Sequence, residues 1–297
     1  MDITVALGGG GAKGHSHIGV LRQLEKEGFR VKAVAGTSFG GLIAVLYALG
    51  YSPDKIEEMF ASADQSQFYG HAPNDGPSLI GLAGVTRLLE EMIGDQTFDD
   101  LELPCVLTAV DLKSGNEVLL SKGRLVDAML ATIAMPGIFP ARYIDGLELV
   151  DGGTIDPVPV AAARMLAPRL PVVAVVLTMP MGIPAQSWRI PLQKYWAGRI
   201  VSRLLSKMRY ATVWDVFSRS LDITSRAVTQ YRLEVDRPDV IIRPQVYDID
   251  TLDIVDVREV AKLGEAAAEA ALPQLRSLFT LRNRWRRSMG VYNHRSL

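Results

Sequence analysis

The chain has 297 residues, of which 48% are hydrophobic, so it can bury a substantial core. Its net charge of -1 excludes binding to a polyanion through overall charge, and we expect no nucleic-acid partner. A single cysteine excludes an intramolecular disulfide and suits a reducing compartment. No apolar run approaches the roughly 20 residues that cross a bilayer, and the first residues do not resemble a signal peptide. These features predict a cytoplasmic protein, with peripheral membrane contact left open.

Strands alternate with helices at the start of the chain. A β-branched run over 3–7 precedes four glycines and an amphipathic helix. A second strand, over 31–35, precedes a glycine-rich turn over 36–41 and an apolar helix over 42–49. This alternation is typical of an α/β fold with a largely parallel sheet and helices on both faces.

Short apolar runs later in the chain predict further interior strands at 104–110, 172–177 and 240–242. The pair Asp145-Gly146 lies between two strand-like runs over 142–150 and predicts a hairpin. Asp256, followed three residues later by Glu259, predicts the start of a C-terminal helix.

The four glycines between the first strand and its helix have three possible uses. A P-loop is disfavoured because His15 stands where the phosphate-binding lysine belongs. A dinucleotide fingerprint matches at Gly9, Gly11 and Gly14, but the acidic residue expected about 20 positions later is missing. The third use is an oxyanion hole, which requires a nucleophile nearby. A tight turn without a ligand stays open as an alternative.

Ser38 is the candidate nucleophile. Gly36-Thr37-Ser38-Phe39-Gly40 is a GxSxG pattern directly after the second strand, an arrangement that exposes a serine hydroxyl on a sharp turn. The turns after neighbouring parallel strands share one edge of the sheet, so Ser38 and the glycine amides can face one carbonyl group. Lys13 adds positive potential to that edge. An ordinary helix N-cap is the alternative role for Ser38.

A serine nucleophile needs a proton acceptor, which is usually histidine. His71 lies in a polar loop and His294 in the C-terminal tail, and both are expected at the surface. The other two histidines, His15 and His17, lie at a predicted helix start. Asp151 fits better, because it follows a predicted strand and precedes Gly152 and Gly153, although a plain turn is the alternative.

Five motifs in this order resemble the patatin-like phospholipase family. They are Gly9-Gly10-Gly11-Ala12-Lys13-Gly14, His17-Ile18-Gly19-Val20-Leu21, Gly36-Thr37-Ser38-Phe39-Gly40, Pro136-Gly137-Ile138-Phe139-Pro140 and Asp151-Gly152-Gly153. The resemblance covers residues 2–177 and, more loosely, 213–272. It implies a three-layer α/β/α sandwich with a mostly parallel central sheet.

The resemblance also implies a catalytic dyad of Ser38 and Asp151, and no cofactor or metal. The implied oxyanion hole consists of Gly9, Gly10 and Gly11, and the supporting residues are Lys13, Gly36, Gly40, Gly152 and Gly153. The implied activity is hydrolysis of acyl esters in phospholipids or lysophospholipids. Acyl transfer, a general carboxylesterase and a non-catalytic lipid-binding module stay open. The chain departs from the common family pattern at Lys13, at Thr132-Ile133 and at Ala141, where arginine, serines and a second proline are frequent.

An aspartate with its ordinary pKa of about 4 is a weak base for a serine hydroxyl. A dyad without histidine therefore leads us to expect no inflection of activity near the histidine pKa of about 6.5.

The predicted organisation is one catalytic domain over 1–280 and a basic tail over 281–297. Within the domain, 180–212 is a variable helical segment. Its part over 188–209 combines basic residues, two tryptophans and an apolar side, which suits a helix at a membrane interface. A helix packed on the core, with its basic residues in solvent, is the alternative.

Overall fold

The computed structural model describes residues 1–73, 75–184 and 210–280. Its strands are β1 Asp2–Leu7, β2 Arg30–Thr37, β3 Cys105–Asp111, β4 Glu117–Leu120, β5 Arg142–Ile144, β6 Leu147–Asp151, β7 Val172–Val175 and β8 Val240–Ile242. Its helices are α1 Ser16–Lys26, α2 Phe39–Ala48, α3 Pro53–Ser62, α4 Ala83–Ile93, α5 Leu125–Thr132, α6 Val160–Leu166, α7 Tyr210–Asp236 and α8 Val257–Ser277. The predicted membrane-facing part, 188–209, and the basic tail, 281–297, lie outside the described residues and stay predictions.

The described strands form one sheet in the order β5-β6-β3-β2-β1-β7-β8, with β4 paired to β3. Neighbouring strands from β3 through β2, β1 and β7 to β8 run parallel. Alternate residues of β1 point to opposite faces: Val5 packs with the larger core and Ala6 with the smaller one. Helices α1, α2 and α8 cover one face, and α6 and α7 cover the other. The predicted three-layer α/β/α sandwich with a mostly parallel sheet is confirmed.

Strand β3 pairs with two different strands along one of its edges. Its residues 107–110 pair with β4 along the opposite edge, so β2 and β6 pair with β3 along the same edge, one after the other. The last residue of β2, Thr37, pairs with Thr108, and the last residue of β6, Asp151, pairs with the next residue, Ala109. The chain therefore leaves β2 and β6 at the same place on the sheet.

Local sequence explains two predicted connections that the structure confirms. Asp145 and Gly146 both adopt positive φ, 51° and 78°, as the two-residue turn between β5 and β6 requires. The Asp256 side chain accepts hydrogen bonds from the amides of Arg258 and Glu259 and so caps α8. Among the helices of the described residues, none combines the length and the apolar character needed to cross a membrane.

Candidate active site

Ser38 occupies a strained backbone position between β2 and α2. Its φ of 55° and ψ of -131° lie in a region that non-glycine residues rarely adopt. Close packing of glycines surrounds this turn: a Cβ on Gly36 would lie 2.5 Å from the Cα of Gly41, and one on Gly40 would lie 2.3 Å from the carbonyl oxygen of Leu7. These glycines let the turn pack directly against the end of β1.

The Ser38 hydroxyl donates a hydrogen bond of 2.6 Å to Oδ2 of Asp151. The other carboxylate oxygen, Oδ1, accepts a 2.7 Å hydrogen bond from the amide of Gly153. Gly152 packs so closely on Thr108 that a Cβ would lie 2.1 Å from its hydroxyl oxygen. Both oxygens of Asp151 therefore have donors, one of which is the hydroxyl proposed to react.

Burial changes the acid–base character of Asp151. Its side chain is almost inaccessible, and the loss of hydration raises its pKa to about 6, although the hydrogen bonds from Ser38 and Gly153 act in the opposite direction. The expectation of an ordinary carboxyl pKa was wrong for this physical reason. Asp151 is a stronger base than a solvated aspartate. Because its pKa of about 6 lies close to the ordinary histidine pKa, a dyad without histidine can itself produce an inflection of activity in that range, contrary to the expectation from sequence.

The glycine loop lies against the nucleophile. A Cβ on Gly9 would lie 3.1 Å from the Cβ of Ser38, so a side chain there would crowd the hydroxyl. The amide of Gly9 donates to the carbonyl of Pro157 at 2.9 Å. Gly10 and Gly11 begin the first turn of a short 3-10 helix, where amides lack intrahelical acceptors, and neither amide has a partner among the described residues. Gly11 has a φ of 58° and lines a cavity together with Ser38.

Lys13 follows this loop and is half-buried. Burial lowers the pKa of its ammonium group, while Asp222 and Asp250 raise it. The side chain of Lys13 begins beside Gly10, because a Cβ added to Gly10 would lie 3.4 Å from the Cβ of Lys13. The lysine side chain therefore starts beside the loop, its ammonium group is influenced by both carboxylates and Arg226, and its supporting role stays a prediction.

A cavity leads from Ser38 into the apolar space between α2, α3, α4 and the loops around 133–139 and 251–254. Most of its wall is aliphatic or aromatic, and this part comprises Ala12, Phe39, Leu42, Phe60, Phe68, Tyr69, Leu82, Val85, Leu88, Leu89, Ile133, Met135, Phe139, Leu252 and Ile254. An apolar cavity that ends on a nucleophilic hydroxyl can hold a hydrocarbon chain with its ester group at the serine.

The described histidines make no hydrogen bond to Ser38. His15 contacts the rings of Phe39 and Phe60, and burial lowers its pKa to about 3, so its imidazole is neutral. His17 lies 2.8 Å from the Gly8 carbonyl through Nε2, and burial lowers its pKa to about 4. Both belong to the predicted helix start, but the sequence did not indicate that His15 lines the cavity. His71 is exposed, as predicted, and His294 lies outside the described residues.

Sequence reasoning assigned no role in the site to three buried threonines near Ser38, Thr37, Thr108 and Thr132. They come from β2, β3 and α5 and hydrogen-bond to one another or to Ser38. No sequence spacing links them, because tertiary structure alone brings them together. Across the part of the chain that the structure describes, no cluster of His, Cys, Asp and Glu side chains has the geometry of a metal site.

Comparison with known proteins places this chain in a family. The model of the patatin-like phospholipase family matches residues 5–164, which is more than half of the chain and includes both Ser38 and Asp151. The chain belongs to the patatin-like phospholipase family.

Relatives of known sequence carry related names. An uncharacterized NTE family protein of Mycobacterium tuberculosis is 30% identical over 202 residues, which are 67% of this chain and 55% of the relative. The lysophospholipase NTE1 of Meyerozyma guilliermondii is 24% identical over 284 residues, which are 90% of this chain and 19% of the relative. The chain thus spans about half, or less, of the length of the curated relatives it matches.

Among solved structures, the crystal structure of VipD from Legionella pneumophila superimposes with a TM-score of 0.53. The match covers 93% of this chain and 66% of that chain, at 11% sequence identity. At this identity the likeness concerns the fold alone.

Proposed function

We propose that the chain is a serine acyl hydrolase that cleaves ester-linked fatty acyl chains of phospholipids or lysophospholipids. The observation that carries the proposal is the 2.6 Å hydrogen bond from Ser38 to a buried Asp151 at the wall of an apolar cavity. Family membership and the relative named a lysophospholipase support a lipid ester as the substrate. We assign the whole activity to one domain over 1–280.

The proposed first half-reaction forms an acyl-enzyme. The Ser38 Oγ attacks the carbonyl carbon of the ester while its proton passes to Oδ2 of Asp151. The carbonyl oxygen becomes an oxyanion, and the amides of Gly10 and Gly11 are its proposed donors. Gly9, whose amide is already bonded to Pro157, contributes the space beside Ser38. The intermediate then expels the alcohol, which takes the proton from Asp151.

The second half-reaction regenerates the enzyme. A water molecule attacks the acyl carbonyl and gives its proton to Asp151, and the second tetrahedral intermediate collapses to release the fatty acid. The proton returns from Asp151 to the Ser38 Oγ. Because the same carboxylate accepts and donates the proton in both halves, a pKa raised towards neutrality favours both directions.

The decisive experiment uses a fluorophosphonate, which forms a covalent bond with an activated serine. We expect labelling of the native chain at Ser38, found by mass spectrometry, no labelling of Ser38→Ala, and labelling slowed about 10²–10⁴-fold in Asp151→Asn. Ser114→Ala, in a loop outside the site, is the matched control and should react like the native chain.

Substrate class is tested separately. Release of free fatty acid from phospholipid vesicles and from lysophospholipid micelles, followed by mass spectrometry, supports the proposed substrates. Labelling at Ser38 with turnover of water-soluble esters only would instead favour a general carboxylesterase, and transfer of the acyl chain to an added alcohol would favour an acyltransferase. A folded chain that is never labelled would favour a non-catalytic lipid-binding module.

We also propose that the protein is cytoplasmic and contacts membranes peripherally through 188–209, on the sequence pattern alone. Replacing Arg199, Arg203 and Lys207 by Glu should weaken co-sedimentation with anionic liposomes. Unchanged co-sedimentation would refute this role.

A further inference from the structure

The backbone amide of Ser38 is bound by a buried side chain from a distant helix. The Thr132 hydroxyl oxygen, at the end of α5, accepts this N–H at 2.9 Å. The same hydroxyl donates its proton to the carbonyl oxygen of Thr108 in β3 at 2.7 Å. Its donor and one acceptor position are therefore both used, and Thr132 is fully buried. A continuous chain of hydrogen bonds runs from the Ser38 amide through Thr132 to Thr108.

Thr108 connects this chain to the other half of the dyad. The hydroxyl of Thr37 donates to the carbonyl of Asp156 at 2.9 Å, so the 2.7 Å contact between Thr37 and Thr108 has the Thr108 hydroxyl as donor. Gly152, the residue after Asp151, packs against the same Thr108 side chain. Both turns of the site thus contact Thr108, and of these three threonines only Thr132 has a hydrogen bond to Ser38 among the described contacts.

Two consequences follow for Ser38. Its positive φ needs an external restraint, because a non-glycine residue in this region relaxes unless its surroundings hold it. Its amide is also unavailable to a developing oxyanion, since that N–H is already donated to Thr132. The amides of Gly10 and Gly11 in the glycine loop, which have no partner in the described part of the chain, remain the proposed donors.

We propose that Thr132 is a positioning residue, whose hydroxyl holds the backbone of Ser38 in the conformation that directs Oγ at Asp151. This inference rests on the proposed serine acyl hydrolase function. Gly41 makes the approach possible, because a Cβ there would lie 2.9 Å from the methyl carbon of Thr132. The hydroxyl acts through Ser38 and does not touch the substrate.

Thr132→Val tests the proposal, because it keeps the shape of the side chain and removes the hydroxyl. With a water-soluble ester, we expect kcat to fall about 10²-fold while KM changes by less than about threefold, because the nucleophile is misplaced and the cavity is retained. Thr132→Ser restores the hydroxyl and should recover kcat to within about fivefold of the native value. Fluorophosphonate labelling of Ser38 should slow in parallel with kcat.

The matched control is Thr4→Val in β1, which also deletes a fully buried threonine hydroxyl. The Thr4 hydroxyl has no hydrogen-bond partner in the described structure and lies outside the site, so its kcat should stay within about twofold of native. Melting temperatures of all variants report folding. If Thr132→Val does not fold, Thr132→Ser and Thr132→Ala are compared instead. These two variants differ only in the hydroxyl, so kcat should be higher in Thr132→Ser.

Three outcomes are decisive. A folded Thr132→Val with kcat within about threefold of native overturns the role of Thr132 and leaves the hydrolase proposal intact. Equal losses in the serine variant and in the valine or alanine variant also overturn it, because the serine variant keeps the hydroxyl and the loss then does not depend on that group. A native chain that neither hydrolyses esters nor labels at Ser38 overturns the proposed function, and the role of Thr132 with it.

Discussion

Ser38 and Asp151 are 113 residues apart in the sequence and share a 2.6 Å hydrogen bond because one strand positions both of them. Thr37, just before Ser38, pairs with Thr108 of β3, and Asp151 pairs with the following residue, Ala109. The parallel strand β2 and the antiparallel strand β6 thus end at adjacent positions along the same edge of β3. A small error in the register of either strand would separate the proposed nucleophile, Ser38, from its proposed base, Asp151.

The pH dependence of activity should follow Asp151. The carboxylate must be ionised to accept the Ser38 proton, and burial raises its pKa to about 6, so kcat/KM for a soluble ester should rise with pH through an inflection near 6 and fall below it. The buried His15 and His17, with pKa values of about 3 and 4, cannot produce that inflection. His71→Gln, at an exposed loop position, should leave the profile unchanged. A profile that is flat from about pH 5 to 8 would contradict this assignment.

Chain-length preference should depend on the wall of the cavity. Leu88 lines the cavity from α4 and is partly accessible, so the larger side chain of Leu88→Trp fills part of the space. We expect kcat/KM for a long-chain ester to fall at least about tenfold relative to a butyryl ester. Met165→Trp, on the exposed side of α6, is the matched control and should leave the ratio unchanged. Equal losses for short and long chains would mean that the acyl group binds elsewhere.

Stability should depend on the pairing of Arg232 with buried Asp156. Arg232 lies 2.7 Å from an oxygen of Asp156, which is fully buried, and also contacts Glu117 and Asp236. Arg232→Met leaves three carboxylates facing one another, and we expect a loss of about 3 kcal/mol in the free energy of unfolding, measured with denaturant.

The pH dependence of that loss has a definite sign. Burial already raises the pKa of Asp156, and removal of Arg232 raises it further. A carboxyl group with a raised folded-state pKa loses stability as pH rises, so the deficit should be larger at pH 8 than at pH 5. Arg219→Met removes an exposed pair with Asp215 on the same helix and should cost less than about 1 kcal/mol. Similar losses for both variants would show that the buried pair has no special role.

Close packing beneath the nucleophile should make Gly40 intolerant of a side chain. A Cβ there would lie 2.3 Å and 2.6 Å from the carbonyl oxygens of Leu7 and Gly8, which are backbone atoms and cannot rotate away. We expect Gly40→Ala to lower the free energy of unfolding by about 2–3 kcal/mol and to reduce labelling of Ser38. Gly76→Ala is the control, because a Cβ there meets no atom of the described residues within 4 Å. A stable and fully labelled Gly40→Ala would contradict the packing seen around the turn.

Features that depend on local backbone chemistry could be predicted from the sequence. The four glycines, the GxSxG pattern and the position of Asp151 after a strand identified the three turns, because only certain residues fit such turns. The hairpin at Asp145-Gly146 and the cap at Asp256 were predicted for the same reason, and the structure confirms both.

Only the tertiary structure decided how these parts function together. It buries Asp151 and so raises its pKa, engages the Gly9 amide with Pro157, turns His15 towards the cavity and places Thr132 on the Ser38 amide. Each of these depends on contacts between residues far apart in sequence, and on how much water the assembled layers exclude. Desolvation and hydrogen-bond partners are properties of the packed fold, so they could not be predicted from the spacing of residues along the chain.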